Sequence, residues 1–358
     1  MLKETDINED DALNNFSNSF RKSLQSANIN FLIGSGCSCP YIPALGDIEQ
    51  QITKEYKEGN TAKANKLLIT FLTPFIKFLN SIKDSNFDID FSSTLNDYVS
   101  FIGNIGKLLF HRKNNILHKQ ASIFSTNYDL FIELAYENYT ENLILCDGFK
   151  RTPSVNRKSY FSISEYFNTV YNIGNIYNYQ VEIPSINLIK LHGSLNWNTD
   201  SNKIFSSIEY TDKVNDLLKS TKPEDIDKLI DSFSIVLPKK DKFKETIINQ
   251  TYYDLLRVFA NELDKENTLL ISEGFSFADE HIQEVVKRSL RNPTLKLIIF
   301  CYEISNLETY KSIFDNFNNV EIIYSSKAKI KFNRFNDLLA LALPGFLNDI
   351  DIKNAGSK

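Results

Sequence analysis

Three short stretches concentrate the residue types that could do chemistry: Phe31-Leu-Ile-Gly-Ser-Gly-Cys-Ser38, Ser125-Thr-Asn-Tyr-Asp129 and Leu191-His-Gly193. Each closes an apolar run. Gly34 and Gly36 let the backbone turn sharply and approach a ligand closely. Amide groups at the start of a following helix can then hold a diphosphate. The pair reads either as such a cradle, built with Ser35, Cys37 and Ser38, or as a plain tight turn. Where the dinucleotide fingerprint carries its third glycine, this chain has Cys39. No acidic residue clearly ends the next strand to hold a ribose, so a nicotinamide dehydrogenase of the usual kind is disfavoured.

In the second stretch, Asp129 reads either as a helix cap or as a site carboxylate. Asn127 stands among polar side chains where a strand ends, and is the stronger candidate. His192 is one of four histidines. It reads equally as a satisfied structural residue or as an exposed imidazole that acts as a base. A fourth loop, Gly274-Phe-Ser-Phe-Ala-Asp-Glu-His281, offers Gly274 and Ser276 to a ribose or phosphate. Asp279 and Glu280 are explained as first-turn acids favoured by the helix dipole. His281, one turn into that helix, reads as structural or as a support for a site residue rather than as catalytic.

The elements that must position these residues are visible in the periodicity. Apolar runs at 29–33, 121–124, 143–146, 186–191, 232–237, 268–271, 295–302 and 320–324 predict strands. Helical spacing marks 12–28, 47–58, 246–264, 279–290, 306–317 and 333–341. Strands alternating with helices predict an α/β fold: a doubly wound, mostly parallel, Rossmann-like sheet. In such a sheet ligands bind beyond the carboxyl ends of the strands, so the motifs should converge on one crevice. Residues 50–118 carry helical patterns alone and predict a helical insertion, or small second helical domain, beside the sheet. Residues 147–185, rich in Tyr, Asn and Ser, predict irregular structure or a lid. The expected organisation is an N-terminal helix over 1–28, a catalytic domain over 29–348, and a frayed tail over 349–358.

Composition excludes several classes. A net charge of −5 lacks the basic excess of general nucleic-acid binders; Lys239-Lys-Asp-Lys242 reads as a solvated loop. Four cysteines without a CxxC pair give neither a disulfide framework nor a zinc ribbon. Reduced thiols fit a cytoplasmic protein. No apolar run approaches the ~20 residues needed to span a bilayer, and the polar start of the chain lacks a signal core.

Taken in order, the four loops resemble the sirtuin family. Gly34-Ser-Gly-Cys-Ser38 followed by Ile42-Pro43 resembles its glycine-alanine-glycine-x-serine loop and isoleucine-proline. Thr126-Asn127-Tyr-Asp129 is similar to its threonine-x-asparagine-x-aspartate signature. His192-Gly193 and the Gly274-x-Ser276 loop match its histidine-glycine pair and late glycine-x-serine loop. The paired zinc cysteines of sirtuin deacylases are absent, and Ala44-Leu45-Gly46 stands where a phenylalanine-arginine is expected. This combination resembles sirtuin-like NAD hydrolases of bacterial antiphage systems.

The resemblance implies NAD as substrate and no zinc. It implies Asn127, His192 and Asp129 as catalytic residues. Binding residues would be Gly34, Ser35, Gly36, Cys37, Ser38, Pro43, Thr126, Gly193, Gly274 and Ser276. It further implies a homo-oligomer and a HerA-like hexameric ATPase as partner, with no membrane or direct nucleic-acid contact. Rival readings are an NAD-dependent deacylase or ADP-ribosyltransferase, and a non-catalytic module that binds NAD or ADP-ribose to assemble. A methyltransferase would leave Asn127 and His192 unexplained.

Overall fold

The computed structural model describes residues 2–8, 10–44, 48–112, 116–139, 141–150, 158–174, 179–200, 203–206 and 246–343. Its centre is an eight-stranded sheet in the order β1-β13-β12-β11-β2-β3-β8-β4. The strands are β1 (Lys3–Asp6), β2 (Asn28–Ile33), β3 (Gln120–Ser125), β4 (Ile144–Cys146), β8 (Ser185–Lys190), β11 (Thr268–Glu273), β12 (Leu295–Phe300) and β13 (Val320–Tyr324). Every neighbouring pair is parallel, so the fold is the doubly wound α/β sheet that the alternating pattern predicts.

Parallel strands buried on both faces read as near-continuous apolar runs, and β2, β3, β8 and β11 do so. Successive side chains point to opposite faces. Ile29, Phe31 and Ile33 of β2 therefore join one apolar core, while Leu32 joins the other. The first core takes the apolar faces of α1 (Asp10–Ser26), α2 (Ile48–Lys57), α3 (Thr61–Lys83), α4 (Ile89–Phe110), α5 (Phe131–Glu137) and α9 (Phe332–Leu341). The second takes α6 (Thr246–Leu263), α7 (Glu280–Ser289) and α8 (Leu307–Phe314). Helices cover both faces, in three layers.

The strand order locates the crevice. From β2 the chain runs through α2, α3 and α4 on the first face to β3, then out to the edge strand β4 and back to β8, which lies between them. It later returns to β11, on the other side of β2, and leaves through α7 on the opposite face. The connections after β2 and β11 thus diverge to opposite faces between adjacent strands. This is the topological switch point at which open α/β sheets bind ligands.

Two features lie outside the periodicity reading. β1 is a short polar strand that pairs with β13 at the sheet edge. It is held there by Glu321, which accepts from Lys3 Nζ at 2.6 Å and Thr5 Oγ1 at 3.0 Å; no apolar pattern announces it. Beyond β4, short strands form two small antiparallel sheets. One joins β5 (Ser159–Tyr160), β10 (Lys203–Ser206) and β9 (Trp197–Asp200); the other pairs β6 (Tyr171–Ile173) with β7 (Gln180–Glu182). The expected strand at 232–237, the Lys239–Lys242 loop and the tail at 349–358 lie outside the described residues.

Candidate active site at the switch point

The glycine turn after β2 is clamped against the loop after β11. Gly34 N–H donates to Glu273 O at 3.0 Å and Gly36 N–H to Gly274 O at 2.9 Å. A Cβ on Gly34 would sit 2.4 Å from Gly274 O, and one on Gly36 2.8 Å from Gly274 Cα. The two loops therefore approach as closely as backbones can, which only glycine permits. Gly274 itself has φ +65°, in the left-handed region. Residues Ser35–Ser38 form a single 3-10 turn. Ser35 is exposed and Gly36 half-buried at its lip, whereas Cys37 and Ser38 are buried behind it.

Behind the turn lies a closed polar network. The Asn127 side-chain NH2 faces Gly34 O at 3.0 Å, Ser38 Oγ at 3.1 Å and Tyr98 Oη at 3.3 Å. Ser38 Oγ is 2.7 Å from Asp129 Oδ2 and 2.9 Å from Tyr98 Oη. A hydroxyl has one proton, and the carboxylate can only accept. Ser38 therefore donates to Asp129, and Tyr98 donates to Ser38. Asp129 Oδ1 accepts from Phe131 N–H at 3.1 Å, so this residue both starts α5 and anchors the network. Burial, followed by the nearby Asp129 charge, pushes the Tyr98 phenol well above its ordinary value, which keeps it a neutral donor.

This arrangement fixes the Asn127 amide: its donors are spent on the protein, while its Oδ1 is buried without a protein partner. An unpaired buried acceptor costs about 1–3 kcal/mol. At a crevice, such an oxygen is the natural acceptor for a hydroxyl or a water.

Beneath the loop, Lys190, at the end of β8, donates to the Asp129 and Asn127 carbonyls and pairs with Glu133 Oε1 at 3.4 Å. Burial, opposed by Lys190, raises the Glu133 carboxyl to about 7. The loops after β3 and β8 are further stitched by Leu191 N–H to Ser125 O at 2.8 Å and Leu195 N–H to Tyr128 O at 3.0 Å. These bonds bring His192 beside the Asn127 loop: its ring lies 6.3 Å from the Tyr128 ring and 6.0 Å from that of Tyr252 on α6. Gly193, at φ +84°, turns the chain away immediately after it. The His192 side chain is 14% exposed, and its Nε2 is 3.0 Å from Asp279 Oδ2.

The remaining sequence-predicted residues take varied places. Thr126 is half-buried, its N–H on Ile33 O at 3.1 Å. Cys37 donates its thiol to Glu273 O at 3.4 Å. Burial, with the Glu273 and Asp129 charges adding, pushes that thiol well up, so it is a packing group rather than a nucleophile. Ser276 is exposed and accepts from Ala278 N–H at 3.3 Å. Pro43 is exposed on the loop after the glycine turn. Among the described residues, no group of three or more His, Cys, Asp or Glu side chains converges as a metal site, and no helix is long and apolar enough to cross a membrane.

Sequence reasoning missed Tyr98, Lys190, Glu133, Glu273 and the pairing role of Asp279. Tyr98 sits in a helix whose aromatics read as core. Lys190 and Glu273 are the charged residues that end two fully buried strands, β8 and β11, which is a usable signal: a charge at the end of a buried parallel strand lies beside or under the crevice. Burial holds the Glu273 carboxyl well above the usual range.

A family model described as a SIR2-like domain matches residues 121–322, more than half of the chain. The match takes in Asn127, His192 and Gly274, and begins after the glycine turn. No curated protein matches the chain.

Proposed function

The chain belongs to the SIR2-like domain family, whose members are typically NAD-dependent enzymes, and from that premise we propose that it hydrolyses NAD to ADP-ribose and nicotinamide. The observation that carries the reading is the Asn127 amide. It is immobilised through its donors, with one buried acceptor left unpaired, beside a glycine turn at the switch point and next to a loop bearing an imidazole.

The bond to be broken joins ribose C1′ to a cationic pyridinium nitrogen. Its electron pair departs with nicotinamide, which leaves neutral and needs no general acid. The ribose passes through an oxocarbenium-like transition state, as in other glycosyl cleavages. Water then bonds to C1′ and gives up a proton to His192. The glycine turn receives the diphosphate at its lip, where Ser35 is exposed; Gly34 and Gly36 allow the close approach and Ser38 braces the turn from behind. Asn127 Oδ1 accepts from a ribose hydroxyl or the attacking water and so fixes its approach. Asp129, through Ser38, keeps the amide from rotating.

Unregulated loss of NAD would poison the host cell, so this activity is gated. The proposed setting is antiphage defence, with NAD depletion released by homo-oligomer formation and assembly with a HerA-like hexameric ATPase. The test is to incubate the purified chain with NAD, alone and with candidate ATPases, and to quantify nicotinamide by chromatography. Release lost in His192→Ala and in Asn127→Ala supports the reading. Release that persists in both variants, or that requires an acylated peptide, overturns it.

A further inference from the structure

His192 and Asp279 come from opposite halves of the sheet. The histidine follows β8 and the aspartate follows β11, and they meet with Nε2 and Oδ2 3.0 Å apart. Asp279 is not free to turn away. It is the N-cap of α7, and its Oδ1 accepts from Ile282 N–H at 3.1 Å. With one oxygen committed to the helix, the other is aimed at the imidazole.

We infer that Asp279 is a positioning residue for the proposed hydrolysis, fixing His192 in the tautomer that carries its proton on Nε2 and leaves Nδ1 as the proton acceptor. The inference rests on the reading of His192 as the base. The chemistry is that of the acceptor. An ionised carboxylate has no proton to give, so the nitrogen facing it must be the protonated one, and in a neutral imidazole the lone pair then lies on the other. Burial raises the Asp279 carboxyl, but the His192 hydrogen bond and charge, the Ile282 N–H and the nearby His281 outweigh it and hold it below its ordinary value. The group is therefore an anion over the working range. When water surrenders its proton, the new imidazolium charge forms beside that anion, which acts more strongly on the protonated ring than on the neutral one. Tyr252 from α6 and Tyr128 from the loop after β3 flank the ring. Neither is a carboxylate, so Asp279 supplies the anion that selects the tautomer.

The test separates the cap from the charge. Asparagine and serine cap helices as well as aspartate, so Asp279→Asn and Asp279→Ser keep α7 while removing the anion. The expected result is a loss of about 10- to 100-fold in kcat for NAD cleavage, no larger than the loss of the base itself, with KM and melting temperature close to wild type. In the full chain labelled with ¹⁵N-histidine, with His192→Ala used to assign the signal, neutral His192 is expected to give the Nε2-protonated pattern. Asp279→Asn should give a mixture of tautomers. This second readout needs no turnover and no partner. Wild-type kcat in Asp279→Asn together with an unchanged tautomer would overturn the inference while leaving the hydrolysis reading intact. NAD cleavage that survives in both His192→Ala and Asn127→Ala would overturn the hydrolysis reading itself.

Discussion

The amide and imidazole corners of the crevice are built in opposite ways. Asn127 is 6% exposed and faces a carbonyl, a serine and a tyrosine, with an aspartate behind the serine and a lysine beneath the loop. The His192 side chain is 14% exposed and is held through one nitrogen by one carboxylate that also caps a helix. The first corner is part of the core and the second is mounted on it. A group that must hold a sugar in one orientation gains from rigidity, because each fixed rotamer removes a way to miss. A group that takes up and releases protons must communicate with water, and a single charged partner suffices to orient it.

If this contrast is right, substitutions at the two corners should fail differently. Asn127→Asp is expected to do the most damage. It places a second carboxylate against Gly34 O and close to Asp129, and a buried unpaired charge costs on the order of 3 kcal/mol. Urea unfolding should show that loss together with abolished turnover. A variant that kept full stability would mean the network is far looser than the distances imply.

His192→Ala should lose at least ~100-fold in nicotinamide release, the usual scale for a general base, yet unfold within about 1 kcal/mol of wild type. Equal loss of stability at both corners would erase the distinction. Glu133→Gln probes the support the corners share through Lys190. Burial raises the Glu133 carboxyl from 4.5 to about 7. The stability linked to its bound proton is therefore present below about pH 4.5 and lost as pH rises through about 7. Over that window wild type should lose roughly 3 kcal/mol relative to the glutamine variant. Parallel stability profiles would show that Lys190 already holds the carboxylate ionised. The smallest effect belongs to Tyr98→Phe. Removing the donor to Ser38 should cost about 1 kcal/mol and roughly tenfold in turnover, while leaving KM for NAD nearly unchanged.

The sequence made the sheet legible because parallel strands buried on both faces are short apolar runs that stand out between amphipathic helices. Ile29–Ile33, Ala121–Phe124 and Leu295–Phe300 could hardly be anything else. The glycine turn, Asn127 and His192 were legible as polar motifs at strand ends. β1 was not, because an edge strand held by Glu321 carries no apolar signature. Nor was the pairing of Asp279 with His192, since an N-cap aspartate has a sufficient local explanation and its second contact lies 87 residues away along the chain. Tyr98 was hidden for a related reason: its ring packs in the core, stacked on Phe131, and only its hydroxyl reaches the site.

That hydroxyl has a practical consequence for anyone who would shrink this protein. The long excursion between β2 and β3 looks easy to shorten, since the two strands are parallel neighbours in the sheet and a single crossover helix would join them. Excising it whole would strip α2, α3 and α4 from the face of the sheet they cover, and would take away the phenol that braces Ser38 and faces the Asn127 amide. A shortened version that kept a covering helix but lost Tyr98 should therefore turn NAD over roughly tenfold more slowly, with little change in KM.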